Sequence, residues 1–190
     1  MARLPLPTIE NAPEDAQPRL QAALKNNGFL PNLVRVLANA PVVLETYQTV
    51  GAINARGGLS LAEREALQIT AAAIHGCGFC VAGHTAVAYK QAKLPEPVVD
   101  ALRDGTEVTD KRLDAVAVFT RAVIRSRGNV DDAELAAFRD AGFTAANVLE
   151  VILGVSLATL CNFANNLART DLNPELSQYA WHGSVPVAAE

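Results

Sequence analysis

The spacing of apolar residues along this chain predicts helices throughout. No segment shows the sustained alternation of apolar and polar residues that a half-buried strand requires. Apolar residues instead recur at helical spacing between start and stop signals, such as the capping box of Ser60 and Glu63. Half of the 190 residues are hydrophobic but only 5% are aromatic, and alanine and leucine favour helices. We therefore expect an all-α, multi-helix bundle.

The helix signals are separated by short linkers and predict one all-helical domain over residues 1–190. The length is close to the ~150 residues of a typical domain. Prolines break up residues 1–12, which are predicted to form an extended arm, and residues 171–190 are predicted to form a C-terminal tail. The longest predicted helix begins after Thr144 and continues to about Ala168. It is apolar on most faces, which indicates burial at the centre of the bundle or at a subunit interface.

Composition argues against several classes of protein. Sixteen basic and 20 acidic residues give a net charge of −4, and no basic cluster suggests a nucleic-acid partner. The first 20 residues lack the apolar core of a signal peptide. The longest apolar stretch, residues 148–163, contains Glu150 and Asn162 and falls short of the ~20 residues that span a membrane. We expect a soluble, cytoplasmic protein.

Chemistry is concentrated in residues 65–84. Three cysteines are an odd number, and Cys77 and Cys80 form a CxxC pair, which in a cytosolic protein indicates redox or metal chemistry. The pair lies at the predicted start of a helix, where free N–H groups and partial positive charge favour the thiolate. His84 follows Cys80 by four residues and shares its helix face, so the imidazole is placed to take a thiol proton.

Glu65 lies in an apolar stripe of the preceding helix, where a carboxylate is costly without a partner. If the two helices form an antiparallel hairpin around Gly76, Glu65 can meet His84 and orient its ring, as the third group of a catalytic triad does.

Two alternatives remain open for these residues. One is a metal site built from Cys77, Cys80, His84 and His75, although structural zinc normally draws ligand pairs from separated segments. The other is a non-catalytic interaction module with ordinary thiols.

The remaining polar and aromatic candidates are expected to have structural roles. Cys161 is expected to be an inert core cysteine and His75 to lie on a turn surface. Phe79 is expected to pack over the disulfide that Cys77 and Cys80 can close. The cluster on the long helix is expected to mark its polar side: Asn162, Asn165 and Asn166. Trp181 and His182 are left unassigned.

The pattern of Glu65, eleven residues, CxxC, three residues and His84 resembles the signature of the alkylhydroperoxidase D-like branch of the carboxymuconolactone decarboxylase superfamily. Residues 28–32 and 131–166 also resemble its peroxidase-related members. The resemblance implies an all-α fold, a homo-oligomer (trimer or hexamer), and a cofactor-free enzyme that reduces hydroperoxides. It implies a dithiol such as lipoamide, or a peroxiredoxin, as the electron-exchange partner.

The resemblance also implies roles for the four residues. Cys80 would be the attacking thiolate, Cys77 the resolving thiol, and His84 with Glu65 the proton relay. Well-studied members carry a histidine between the cysteines, where this chain has Phe79. The decarboxylase branch lacks the CxxC pair, so lactone decarboxylation is disfavoured.

Overall fold

A computed structural model describes residues 3–183, so residues 1–2 of the predicted arm and 184–190 of the predicted tail lie outside the described residues. Within this range the chain forms α-helices and two short 3₁₀ helices, Glu14–Ala16 and Pro174–Tyr179, and no strand. The all-α prediction is confirmed. The helices are α1 (Gln17–Asn27), α2 (Asn32–Leu37), α3 (Pro41–Asn54), α4 (Leu61–Ile74), α5 (Gly78–Lys90), α6 (Glu96–Asp104), α7 (Lys111–Ser126), α8 (Asp132–Asp140) and α9 (Ala145–Ala168).

Local capping signals set where several helices begin. Ser60 and Glu63 form the expected capping box at α4, with the Glu63 amide donating to the Ser60 hydroxyl at 3.3 Å. Thr144 caps α9 in the same way. Residues 14–16 form a 3₁₀ turn before α1. Pro18 occupies the first turn of α1, where its missing N–H is tolerated.

Helix α4 lies at the centre of the bundle and contacts α5, α6, α7 and α9. Four of its alanines are fully buried, and their small side chains let neighbouring helices approach closely: Ala66, Ala71, Ala72 and Ala73. The approach of α9 is closest at Gly154, where a Cβ would lie 2.7 Å from Cδ1 of Leu67. In the same core cluster as Leu67, Phe138 stacks between Phe119 and Phe143 at ring distances of 4.3 and 4.2 Å. The core is therefore formed by small residues around α4 and by aromatic rings near α8.

Helix α9 is buried on one face and exposed on the other. The 24-residue helix contacts α2, α3, α4, α5 and α7. The helix is long and apolar enough to cross a membrane. Core helices of soluble proteins also meet this criterion of length and composition. It is longer than the 148–163 stretch considered in the sequence, because the helix continues through polar residues at both ends. Its exposed side carries Leu149, which is 69% exposed, and Phe163, which is 55% exposed.

The described parts of the arm and the tail pack on the same chain. The Arg35 guanidinium donates to the carbonyls of Leu6 and Pro7, which fastens the arm to α2. In the tail, Arg103 donates to the carbonyl of Ala180 at 2.9 Å. Trp181 then packs against the cluster of buried residues that contains both CxxC cysteines. This gives Trp181 a place within its own subunit, which the sequence left undecided.

Candidate active site

The turn between α4 and α5 places the CxxC pair at the start of a helix. His75 ends α4, and Gly76 follows in the left-handed conformation with φ of +65°. The amide of Cys77 donates to the carbonyl of Ala72 at 2.9 Å, and the amide of Gly76 donates to that of Ala73 at 3.1 Å. These two bonds form a Schellman motif, which reverses the chain and directs it into α5.

Both thiols of the pair are free and buried. Cys77 is the N-cap residue of α5, and its Sγ accepts a hydrogen bond from the backbone N–H of Cys80 at 3.4 Å. Cys80 lines a cavity of about 690 Å³, whereas Cys77 is not among the residues that line it. A molecule in this cavity would therefore meet Cys80 first.

The hairpin brings Glu65 and His84 together, as the sequence hypothesis requires. Nδ1 of His84 donates to Oε2 of the buried Glu65 at 2.8 Å, and both residues line the same cavity as Cys80. Burial favours the neutral ring, but the charge of Glu65 and this hydrogen bond outweigh it and raise the pKa of His84. The bond at Nδ1 leaves Nε2 as the ring nitrogen available for proton exchange.

The two thiols share a proton unequally. The hydrogen bond between their side chains lowers the pKa of Cys77 and, together with burial, raises the pKa of Cys80 well above its ordinary value. The backbone N–H of Cys80 further favours charge on Cys77. The first negative charge of the pair therefore rests on Cys77, and the pair titrates as a unit.

Three asparagines of α9 complete the site. The prediction that they mark the polar side of the helix is wrong for Asn162 and Asn165, whereas Asn166 is exposed. Asn162 and Asn165 are only 1% and 3% exposed, so they do not mark the polar side of the helix. Asn162 accepts a hydrogen bond from His75 Nδ1 at 2.9 Å, and Asn166 donates to the His75 carbonyl at 2.7 Å. Nδ2 of Asn165 donates to Sγ of Cys80 at 3.3 Å. Asn162 and Asn165 follow the buried Ala158 by four and seven residues, so the three residues share one face of the helix, and this spacing was the available signal.

His75 is held by α9, since its ring is bound to Asn162 and packs edge-on against Phe163 at 5.0 Å. Among residues 3–183, no group of three or more His, Cys, Asp and Glu side chains is arranged to hold a metal ion. The alternative of a metal site at Cys77, Cys80, His84 and His75 therefore finds no support in the described geometry.

The cavity is lined mostly by apolar side chains, including Phe79. Cys161 also faces it, although burial and the nearby charge of Cys77 raise the pKa of Cys161 to about 12, which makes it a poor nucleophile. Tyr47 is a lining residue that sequence reasoning missed. Burial is the main cause that raises the pKa of its hydroxyl, so Tyr47 stays protonated.

Residues 41–121 match the model of the Carboxymuconolactone decarboxylase family, and this range contains Glu65, both cysteines of the pair and His84. A solved structure of similar fold over nearly the whole chain is an uncharacterized peroxidase-related protein from Ralstonia eutropha JMP134, described as an alkylhydroperoxidase AhpD core. It is 25% identical, with a TM-score of 0.83 over 92% of this chain and 94% of that one. The family match and the shared fold support the alkylhydroperoxidase D and carboxymuconolactone decarboxylase superfamily. The resemblance drawn from the sequence is confirmed.

Two further solved structures share the fold. An uncharacterized peroxidase-related protein from Silicibacter sp. TM1040 is 18% identical, with a TM-score of 0.78 over 92% of this chain and 93% of that one. The debrominase Bmp8, as a cysteine-to-alanine variant in complex with 2,3,4-tribromopyrrole, is 14% identical, with a TM-score of 0.76 over 94% of this chain and 97% of that one. A comparison with curated proteins finds no match. Proteins of this fold therefore include one named as a debrominase and two named as peroxidase-related, and the fold alone does not choose the reaction.

Proposed function

We propose that this protein is a cofactor-free thiol peroxidase that reduces hydroperoxides through Cys80 and Cys77. One observation carries the proposal: Cys80 and the hydrogen-bonded Glu65–His84 pair face one cavity of about 690 Å³. A nucleophile, a proton carrier and a group that orients the carrier are the parts that nucleophilic catalysis requires.

Cys80 is the attacking thiol because it lines the cavity and Cys77 does not. In the resting pair the charge rests on Cys77, and the hydrogen bond between the sulfurs lets Cys77 take the proton of Cys80. This transfer moves the negative charge to the sulfur that meets the substrate.

In the first step the Cys80 thiolate attacks the terminal oxygen of the hydroperoxide. The O–O bond breaks, the sulfur is oxidised to a sulfenic acid and the oxygen is reduced to an alkoxide. The alkoxide takes a proton from the His84 imidazolium and leaves as an alcohol. Glu65 stabilises that imidazolium before the transfer, which is consistent with its effect on the pKa of His84.

In the second step the Cys77 sulfur attacks the Cys80 sulfur, which forms the disulfide and releases one water. An external dithiol, or a thiol protein of the peroxiredoxin type, then supplies two electrons and two protons that restore both thiols. The position of Cys77 at the N-cap keeps its sulfur beside the first turn of α5, within reach of Cys80.

Thiol titration after one equivalent of a hydroperoxide tests the proposal. The wild-type protein is expected to lose two free thiols, and Cys77→Ser is expected to accumulate a sulfenic acid that dimedone traps. Cys161→Ser serves as the control and is also expected to lose two free thiols. In the wild type Cys161 is expected to remain a thiol, because its pKa is raised to about 12. Consumption of hydroperoxide by Cys80→Ser at the wild-type rate would show the mechanism to be wrong.

We also propose that the protein is a cytoplasmic homo-oligomer, a trimer or hexamer. The exposed face of α9, with Leu149 and Phe163, supports association because burying apolar surface contributes about 25 cal/mol per Å². Light scattering of the purified protein measures the oligomeric state directly. Leu149→Asp is expected to shift it toward the monomer, and an unchanged mass for this variant would exclude this face as the interface.

A further inference from the structure

We propose that Asn165 is a further catalytic residue, whose side-chain amide stabilises the reacting sulfur of Cys80 from the opposite helix. The inference rests on the proposed thiol chemistry and assigns a role to a residue on α9, outside the motif of Glu65, CxxC and His84 and outside the 41–121 range.

The contact is direct and shielded from water. Nδ2 of Asn165 donates to Sγ of Cys80 at 3.3 Å, and both residues are buried. A neutral thiol is a weak acceptor, whereas hydrogen bonds to a charged group are roughly twice as strong as neutral ones. The bond therefore strengthens as negative charge develops on Cys80, and an interaction that strengthens along the reaction accelerates it.

Cys80 needs such a donor more than Cys77 does. The bond to Cys77 and burial both oppose charge on Cys80, and the amide of Asn165 counters them by lowering the pKa of both thiols. Because the same amide favours the charged form of either sulfur, it supports the pair while the proton passes from Cys80 to Cys77.

The other atom of the amide lacks a partner. Oδ1 of Asn165 is buried and accepts no hydrogen bond. An unsatisfied buried acceptor costs stability unless some step supplies a donor. The terminal O–H of a hydroperoxide at Cys80, and then the O–H of the sulfenic acid, are donors that arise beside this amide. Asn165 would then hold the sulfur with one atom and the transferred oxygen with the other.

The neighbours of Asn165 keep it in place. Asn162 and Asn166 bind the ring and the carbonyl of His75, so α9 is fastened to the CxxC turn on both sides of Asn165. A donor held in advance costs no reorganisation when charge appears.

The test measures ionisation of Cys80 without any hydroperoxide. In a Cys77→Ser, Cys161→Ser background Cys80 is the only thiol, and the pH dependence of its alkylation by iodoacetamide reports the thiolate. We expect Asn165→Leu to slow alkylation about tenfold at neutral pH, as the loss of a hydrogen bond to a charged group implies. The rate should recover at alkaline pH. Asn129→Leu, on an exposed loop, is the matched control.

The second arm measures hydroperoxide reduction by Asn165→Leu with Cys77 and Cys161 intact. We expect a loss of about tenfold or more in kcat/KM at neutral pH that shrinks as pH rises. Asn165→Ala also removes the N–H donor and adds no charge, so it gives the same test if the leucine variant does not fold. Asn165→Gln, which keeps the amide, is expected to restore part of the rate.

Unchanged alkylation and unchanged kcat/KM in either folded variant would overturn the role of Asn165. A pH-independent loss of rate would also overturn it, because that result indicates a structural role. If the wild-type protein fails to reduce hydroperoxides, the proposed function fails, and the alkylation profile still decides whether Asn165 stabilises the thiolate.

Discussion

Replacing Glu65 by glutamine tests the proton relay most directly. The substitution removes the charge and keeps the size of a side chain whose Oε2 lies 2.8 Å from Nδ1 of His84. The glutamine oxygen can still accept a hydrogen bond from Nδ1–H, so the variant is expected to fold. What is lost is the electrostatic stabilisation of the imidazolium.

The size of the effect follows from the kind of bond that is lost. A hydrogen bond to a charged group contributes about 1.5–3 kcal/mol, and a neutral one about 1 kcal/mol. The difference of ~0.5–2 kcal/mol corresponds to a loss of about 2- to 30-fold in kcat/KM for a relay that needs the charged ring. The exposed ion pair between Glu45 and Arg19 provides the control, since Glu45→Gln is expected to change stability by less than ~1 kcal/mol and activity not at all.

The pH dependence has a definite sign. Glu65 raises the pKa of His84 against the effect of burial, so the imidazolium persists to higher pH in the folded protein than in the unfolded chain. The stability it contributes is fully present below the unfolded pKa of about 6.5 and is lost as pH rises through the folded pKa. In Glu65→Gln burial dominates, so the alkaline limb of the activity profile is expected to move to lower pH.

The assay is stopped-flow oxidation by a hydroperoxide across pH, combined with NMR titration of the histidine ring protons. The wild type is expected to show a His84 resonance that titrates at higher pH than that of the variant. A variant with the wild-type rate and the wild-type alkaline limb would refute the relay.

Three further predictions concern local structure. In Gly154→Ala the new Cβ would lie 2.7 Å from Cδ1 of Leu67. This clash is expected to lower the free energy of unfolding, measured in urea, by about 1–3 kcal/mol. An unchanged free energy would mean that α4 and α9 separate easily. Ser60→Ala removes the cap of α4 and is expected to cost about 1 kcal/mol in the same assay. In Gly76→Ala the new Cβ meets no neighbouring atom, but the alanine must adopt a φ of +65°. The resulting backbone strain of about 1–2 kcal/mol is expected to lower Tm. An unchanged Tm would contradict this prediction.

Much of the fold could be predicted from the sequence because helix signals are local. Ser60 and Thr144 cap the helices that the sequence assigned to them, and Gly76 ends α4 where its left-handed conformation is needed. The assignments of activity, partners and localisation remain predictions.

The asparagines of α9 show where sequence reasoning stops. Helical spacing shows which residues share a face but not whether that face contacts water or another part of the protein. The sequence therefore predicted Asn162 and Asn165 on the exposed face of α9, whereas both are buried. Only the packing of α9 on the α4–α5 turn makes Asn165 a donor to a sulfur 85 residues away.

The sequence by itself determined what depends on residues within a turn or two of each other: the helices, their caps, and the placement of Cys80 and His84 on one face of α5. The tertiary structure decided what depends on distant segments, which are the Glu65–His84 bond, the cavity that exposes Cys80 rather than Cys77, and the amide of Asn165. The physical reason is that backbone hydrogen bonds and helical periodicity act locally, whereas burial and side-chain pairing depend on how whole helices pack.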